Sequence, residues 1–106
     1  MKKVKNIELQ MSFNDAFNLC VRSTSSIERS KIKEKIQNQG RIVAKVGISI
    51  KSFGEVIEFK LKEISCDKIG IELSSRPAVR TTLVDYGKNR ENIEKIVTFL
   101  KDSKAF

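Results

Sequence analysis

The sequence predicts an α+β domain: one twisted antiparallel sheet with helices packed on its concave face. Three observations predict it. Residues 42–74 form one long β-pattern, with Ile42, Ala44, Val46, Ile48 and Ile50, then Ile57, Phe59 and Leu61, then Ile69, Ile71 and Leu73 apolar at alternate positions. The residues between them, among them Lys45, Glu58, Lys60, Lys62 and Glu72, are polar, so each strand has one dry face and one wet face. Two flanking segments instead carry apolar residues at i, i+3, i+4 and i+7: Phe13, Ala16, Phe17 and Cys20, and then Ile93, Ile96, Val97 and Leu100. The order is β-α-β(4–5)-α, in which both helices can cover the same face of the sheet.

Each element has its own signal. Residues 4–11 read as a first strand, with Ile7, Leu9 and Met11 on one face. Ser12 then reads as a helix N-cap, with Asp15 three residues on in the place of the usual Glu of a capping box. The helix fades at Ser23-Thr24-Ser25-Ser26, a run of poor helix formers. Residues 30–36 suit a short edge strand, because Gln37-Asn38-Gln39-Gly40 reads as a hairpin turn, although Ile32 and Ile36 also fit helical spacing. Lysines on such an edge discourage pairing with another sheet. A strand over 41–51 follows, in which Gly47 marks a bulge or a close backbone approach. Strands over 56–64 and 69–74 are bounded by turns at 52–55 and 65–68. Ser75-Arg76-Pro77 is expected to interrupt the ladder, since Pro77 has no backbone donor, before a last strand over 79–84. Residues 85–89 lead into a closing helix over 90–101, where Glu91 near the start and Lys101 near the end suit the helix dipole. The last residues read as a frayed tail.

Composition narrows the classes. The chain has 106 residues, the size of one domain with a core that folds without disulfides or metal. Apolar residues make up 40% and charged residues 32%, an ordinary soluble mixture. No apolar run approaches the ~20 residues of a membrane helix. Met1-Lys2-Lys3 is basic but no apolar segment follows, so no signal peptide is expected and the cytoplasm is the default compartment. Cys20 and Cys66 lack metal spacing and are expected as free thiols. The absence of histidine rules out Ser-His-Asp and Cys-His catalysis and imidazole zinc sites. The formal net charge of +8 favours anionic partners, or serves solubility alone.

Three segments carry a resemblance. They are Gly47-Ile48-Ser49-Ile50-Lys51-Ser52-Phe53-Gly54-Glu55, Ser74-Ser75-Arg76-Pro77, and Asp85-Tyr86-Gly87-Lys88-Asn89-Arg90-Glu91-Asn92. With the element order, they make the chain resemble the helix-grip (START-like, SRPBCC) superfamily, and more narrowly small uncharacterised bacterial proteins of that kind. The resemblance implies the fold. The larger members place a pair of helices after the first strand and enclose a sizeable hydrophobic cavity, which on that pattern would make 30–36 a second helix. A chain of 106 residues leaves little material to wall in such a cavity. The resemblance carries over no catalytic residue.

No motif identifies a reaction or a ligand, so candidate sites are groupings. Phe13, Phe17, Phe59, Ile93 and Val97 would meet between sheet and helices, as a pocket for an apolar ligand or simply as the core. Arg76, Arg80, Lys88 and Arg90 would form either a cluster holding a phosphate or carboxylate or a solvated rim. Lys45, Lys51, Lys60 and Lys62 alternate outward, as a track for a nucleic-acid backbone or as a wet face with cross-strand ion pairs. The aromatics that single-strand binders stack on bases are missing from that face. Gly87-Lys88-Asn89 departs from a phosphate loop at Thr82 and Asn89, and reads as a helix start with Gly87 in an unusual backbone angle and Asn89 as cap. Asp85 and Tyr86 beside Lys88 would do acid–base work only if burial shifted them. The expectation is a non-catalytic module that takes an apolar or amphipathic small molecule between sheet and closing helix. Phe17, Phe59, Ile93 and Val97 would line it, and Arg76, Arg80 or Lys88 would hold an acidic head group. The alternative is a basic surface that binds nucleic acid or another anionic partner. No metal or cofactor is expected, and the chain would act as monomer or homodimer.

Overall fold

Alternation and helical stripes become strands and helices where the sequence places them. The computed structural model describes residues 2–48, 53–79 and 87–103. Its elements are β1 (Lys3–Leu9), α1 (Phe13–Ser23), β2 (Ser30–Ile36), β3 (Arg41–Val46), β4 (Glu55–Ser65), β5 (Lys68–Pro77) and α2 (Lys88–Asp102). The strands form one antiparallel sheet in the order β1-β5-β4-β3-β2, so among the described residues β1 and β2 are its two edges. The register puts Ile7 opposite Ile71, and Phe59 opposite both Ile42 and Leu73. These are the inward residues of the alternation, and they are buried with Ala16, Phe17, Leu19 and Cys20 of α1 and Ile93, Ile96 and Leu100 of α2. Both helices therefore cover one face of the sheet, in the α+β, helix-grip-like arrangement the sequence predicts.

Local chemistry sets the ends of α1. Ser12 Oγ accepts from the Asp15 N–H at 3.2 Å, which satisfies one of the orphan donors of the first turn. At the other end, four successive hydroxyls close the helix. Ser23, Thr24, Ser25 and Ser26 donate to the carbonyls of Cys20, Val21, Arg22 and Ser23 at 2.6–2.8 Å. Such side chains compete for backbone partners, so the run that weakens the helix also caps it.

The β2–β3 hairpin turns at Gln37–Gln39, and Gly40 follows in the left-handed region at φ +62. Its carbonyl accepts the Leu61 N–H at 2.7 Å, and a Cβ at Gly40 would run into the Leu61 carbonyl oxygen. A residue with a side chain is excluded there twice, by backbone angle and by space.

Four details depart from the alternation. First, β3 stops at Val46, opposite Ser30 and Glu55, and Gly47 extends the pairing toward the β2 side by one in-register bond, donating its N–H to the Arg29 carbonyl at 3.0 Å. Gly47 is thus neither a bulge nor a tight approach, since a Cβ there would meet the Arg29 Cβ at 3.5 Å, an ordinary contact. Ile48, which alternation would place inside, stands 70% exposed beyond the end of the ladder at Val46–Glu55, while Ile50 lies outside the described residues. Second, Ser75-Arg76-Pro77 continues β5 rather than breaking it, with Pro77 opposite Glu55. Ala78 N–H donates to the Gly54 carbonyl of the β4 side at 3.0 Å, so the nitrogen of Pro77 faces the other way. There β1 has ended, its first residue Lys3 lying opposite Ser75, and no donor is needed. Third, of the expected strand over 79–84, Val79 is not in a strand and 80–84 lie outside the described residues. Fourth, α2 begins at Lys88 with Gly87 as its N-cap at φ +75, and it extends through Asp102, one residue past the expected end. Asn89 is therefore not the cap but part of the first turn.

Candidate functional site

The inward face of α2 has two chemical halves. Asn89 and Asn92 occupy its first turns, and Ile93, Ile96 and Leu100 occupy the rest, all buried. Opposite the asparagines lie Glu55 at the start of β4 and Ser75 near the end of β5, each with no solvent exposure. Ser75 Oγ donates to Asn89 Oδ1 at 2.7 Å. The Asn92 amide donates to Glu55 Oε1 at 2.9 Å and to Ser75 Oγ at 3.3 Å. Asn92 Oδ1 is the one buried side-chain acceptor without a hydrogen-bond partner among the described residues. The network brings together one residue or more from each of the three segments that carry the family resemblance. Sequence reasoning took these segments for turns and a helix start, yet the signal was present. Glu55 shares inward parity with Ile57 and Phe59, Ser75 shares it with Leu73, and Asn89 and Asn92 sit four residues before Ile93 and Ile96.

Beside this network, the other flank of α2 faces β1 across an open groove of about 450 Å3. Ile93 and Val97 form its apolar wall, and Lys3, Lys5, Arg90 and Lys101 are its cations. Glu94 also lines it, held by Arg90 at 2.9 Å. Lys3 and Lys5 pair with Ser75 and Leu73, so they continue the inward parity of Ile7 and Leu9 and face the helix side of the sheet. Beyond the core the same face that buries isoleucine presents lysine.

The expected lining residues separate in the structure. Ile93 and Val97 line the groove. Phe17 and Phe59 do not, being 1% and 0% exposed in the packed core, with Phe13 stacked on Phe17 at a ring distance of 6.1 Å. The expected basic cluster does not assemble among the described residues. Arg76 is exposed on the outer face, since Ser75 beside it points inward to Asn89, and Arg80 lies outside the described residues. Lys88 is half-buried and ion-paired with Glu91 at 3.8 Å, and Asn89 is turned into the sheet, so neither presents a phosphate cradle. Asp85 and Tyr86 lie outside the described residues. On the outer face, Arg41 bridges Glu34 and Glu58 at 2.7 and 2.8 Å, and Lys60 reaches Glu72 at 4.0 Å. The hydrogen bond to Glu58 and then the charge of Glu34 raise the affinity of Arg41 for its proton. Of the lysines that would have tracked a nucleic acid, Lys60 is paired in this way, and Lys51 lies outside the described residues. Cys20 is a free thiol sealed in the core, where burial pushes its pKa up to about 12, and Cys66 is free and exposed in the β4–β5 turn.

No helix among the described residues is long and apolar enough to cross a membrane. No family model and no curated protein matches the sequence. The fold does have solved counterparts. The chain is similar to an uncharacterised protein from Bacillus thuringiensis with a TM-score of 0.68 at 8% identity, over 97% of this chain and 98% of that one. It is also similar to the di-domain ARO/CYC StfQ from the steffimycin biosynthetic pathway, with a TM-score of 0.54 at 11% identity, over 95% of this chain and 50% of that one. At such identities the likeness establishes the fold and says nothing of the chemistry.

Proposed function

We propose that this chain is a non-catalytic binding module for a small amphipathic anion, held in the groove between β1 and α2. One observation carries the reading: an apolar wall of Ile93 and Val97 set between cations from both sides, Lys3 and Lys5 on β1 and Arg90 and Lys101 on α2. Its volume of about 450 Å3 suits a small ligand. The apolar tail would lie along Ile93 and Val97, and the acidic head would meet the lysines. The ligand lies along the helix rather than in the core, where Phe17 and Phe59 are already fully buried.

Calorimetric titration with dodecanoate, and with neutral dodecanol for comparison, tests this. Saturable binding of dodecanoate is expected, weaker for the alcohol, reduced several-fold by Lys5→Gln with Lys101→Gln and lost with Val97→Asp. A titration without saturable heat, or binding indifferent to Val97→Asp, would overturn the reading.

A further inference from the structure

At the opposite edge of the sheet lies a second hollow, of about 680 Å3, that the groove does not involve. Its cations are Arg29, Lys31, Lys33 and Lys45, and no acid lines it among the described residues. Its apolar residues are Ile48, Phe53 and Val79, which stand 70%, 65% and 42% exposed. The arrangement works against stability in three ways. Lys31 and Lys45 are paired directly across β2 and β3, where like charges repel. None of the four cations is ion-paired among the described residues, whereas Arg41 in the same hairpin holds two acids. Arg29 also takes a left-handed backbone at φ +64, disfavoured for a residue with a side chain, with its guanidinium on the Ile48 carbonyl at 3.4 Å. Backbone strain of this kind gathers where a surface is used.

We infer that this hollow is a docking surface for an anionic lipid bilayer. Charge complementarity gives the sign of the partner. The apolar residues give its kind: side chains emerging from a cationic rim match an interface where anionic head groups lie over an apolar layer. A nucleic acid would leave Ile48 and Val79 in water and find one aromatic among the described residues, Phe53, to stack on. An acidic peptide would satisfy the lysines but supplies no apolar layer.

Co-sedimentation with vesicles tests the inference. One set is phosphatidylcholine alone and the other two parts phosphatidylcholine to one part phosphatidylglycerol. The protein is expected to partition onto the anionic vesicles, with at least tenfold less on the neutral ones, and to be released by salt. Each cation near an anionic surface contributes about fivefold. Lys31→Gln with Lys45→Gln should therefore cut partitioning roughly 25-fold. That variant should unfold no earlier than the parent, since it removes a repulsive pair. Phe53→Ser should weaken binding several-fold with the salt dependence unchanged, and Lys5→Gln with Lys101→Gln in the groove should leave it as it was. Equal partitioning onto both vesicle types would overturn the inference, as would none onto either or partitioning that survives the Lys31, Lys45 change. Tighter binding to polyglutamate or single-stranded DNA than to anionic vesicles would equally overturn it, giving the surface to an acidic protein or a nucleic acid.

Discussion

The two halves of α2 are held to the same sheet by opposite chemistry. Its second half rests on Ile93, Ile96 and Leu100, and its first half on Asn89 and Asn92 against Ser75 and Glu55. Apolar contact stabilises in proportion to area and is indifferent to register, since a helix can slide on isoleucines at small cost. A buried hydrogen-bond network is the reverse. It adds little net energy when complete and costs much when one partner is lost. The apolar half thus supplies the energy of docking, and the polar half specifies where the helix sits. That position aligns Ile93 and Val97 with β1 and so shapes the groove.

Substitutions in the two halves should separate these roles. Leu100→Ala, which empties a site with no solvent exposure, is expected to lose about 3 kcal/mol in denaturant unfolding and to spare dodecanoate binding wherever the protein remains folded. Asn92→Leu keeps the branched shape but strips Glu55 of a donor, at a cost of about 2 kcal/mol. If register is what the network sets, Asn92→Leu should weaken dodecanoate binding more than its loss of stability suggests. Equal effects of the two substitutions on binding would end the distinction.

Alkaline pH probes the apolar side alone. Burial raises the Cys20 thiol from an ordinary 9.0 to about 12, so above pH 9 the unfolded chain loses a proton that the folded chain retains. Stability from this thiol is intact below that pH and falls as pH rises, by roughly 1 kcal/mol over the first pH unit. The fall should appear as a difference between the parent and Cys20→Ala, and parallel curves would remove it. The smallest effect is expected at the groove's rim. Arg90→Ala removes an exposed pair with Glu94 and should change stability by less than about 0.5 kcal/mol.

The contrast also explains how far the sequence could be read. Strands and core were legible because a two-residue period leaves no doubt about which of Ile57, Phe59 and Leu61 face in. Residues 30–36, whose lysines suit helix or strand, were decided by the turn after them, and they form β2. Alternation misplaced Ile48, because a pattern of side chains does not reveal where the pairing ends, here at Val46 opposite Glu55. Pro77 was misread because its missing donor matters only when a neighbouring strand needs it, and strand order is a tertiary fact. The groove was hidden for the same reason: Lys3 and Lys5 become a site only when β1 crosses to the strand beside α2. Asn89 illustrates the remaining ambiguity. An asparagine near a helix start suits a cap or an inward contact equally, and Gly87 had already taken the cap.

The placement of the thiols has a practical consequence. With Cys20 enclosed in the core and Cys66 at the tip of the β4–β5 hairpin, the native chain offers a single labelling handle without any engineered change. A maleimide fluorophore should attach once per folded molecule and twice per unfolded one. It would report from a turn that belongs to neither the groove nor the basic hollow, leaving both surfaces free for the titrations that test them.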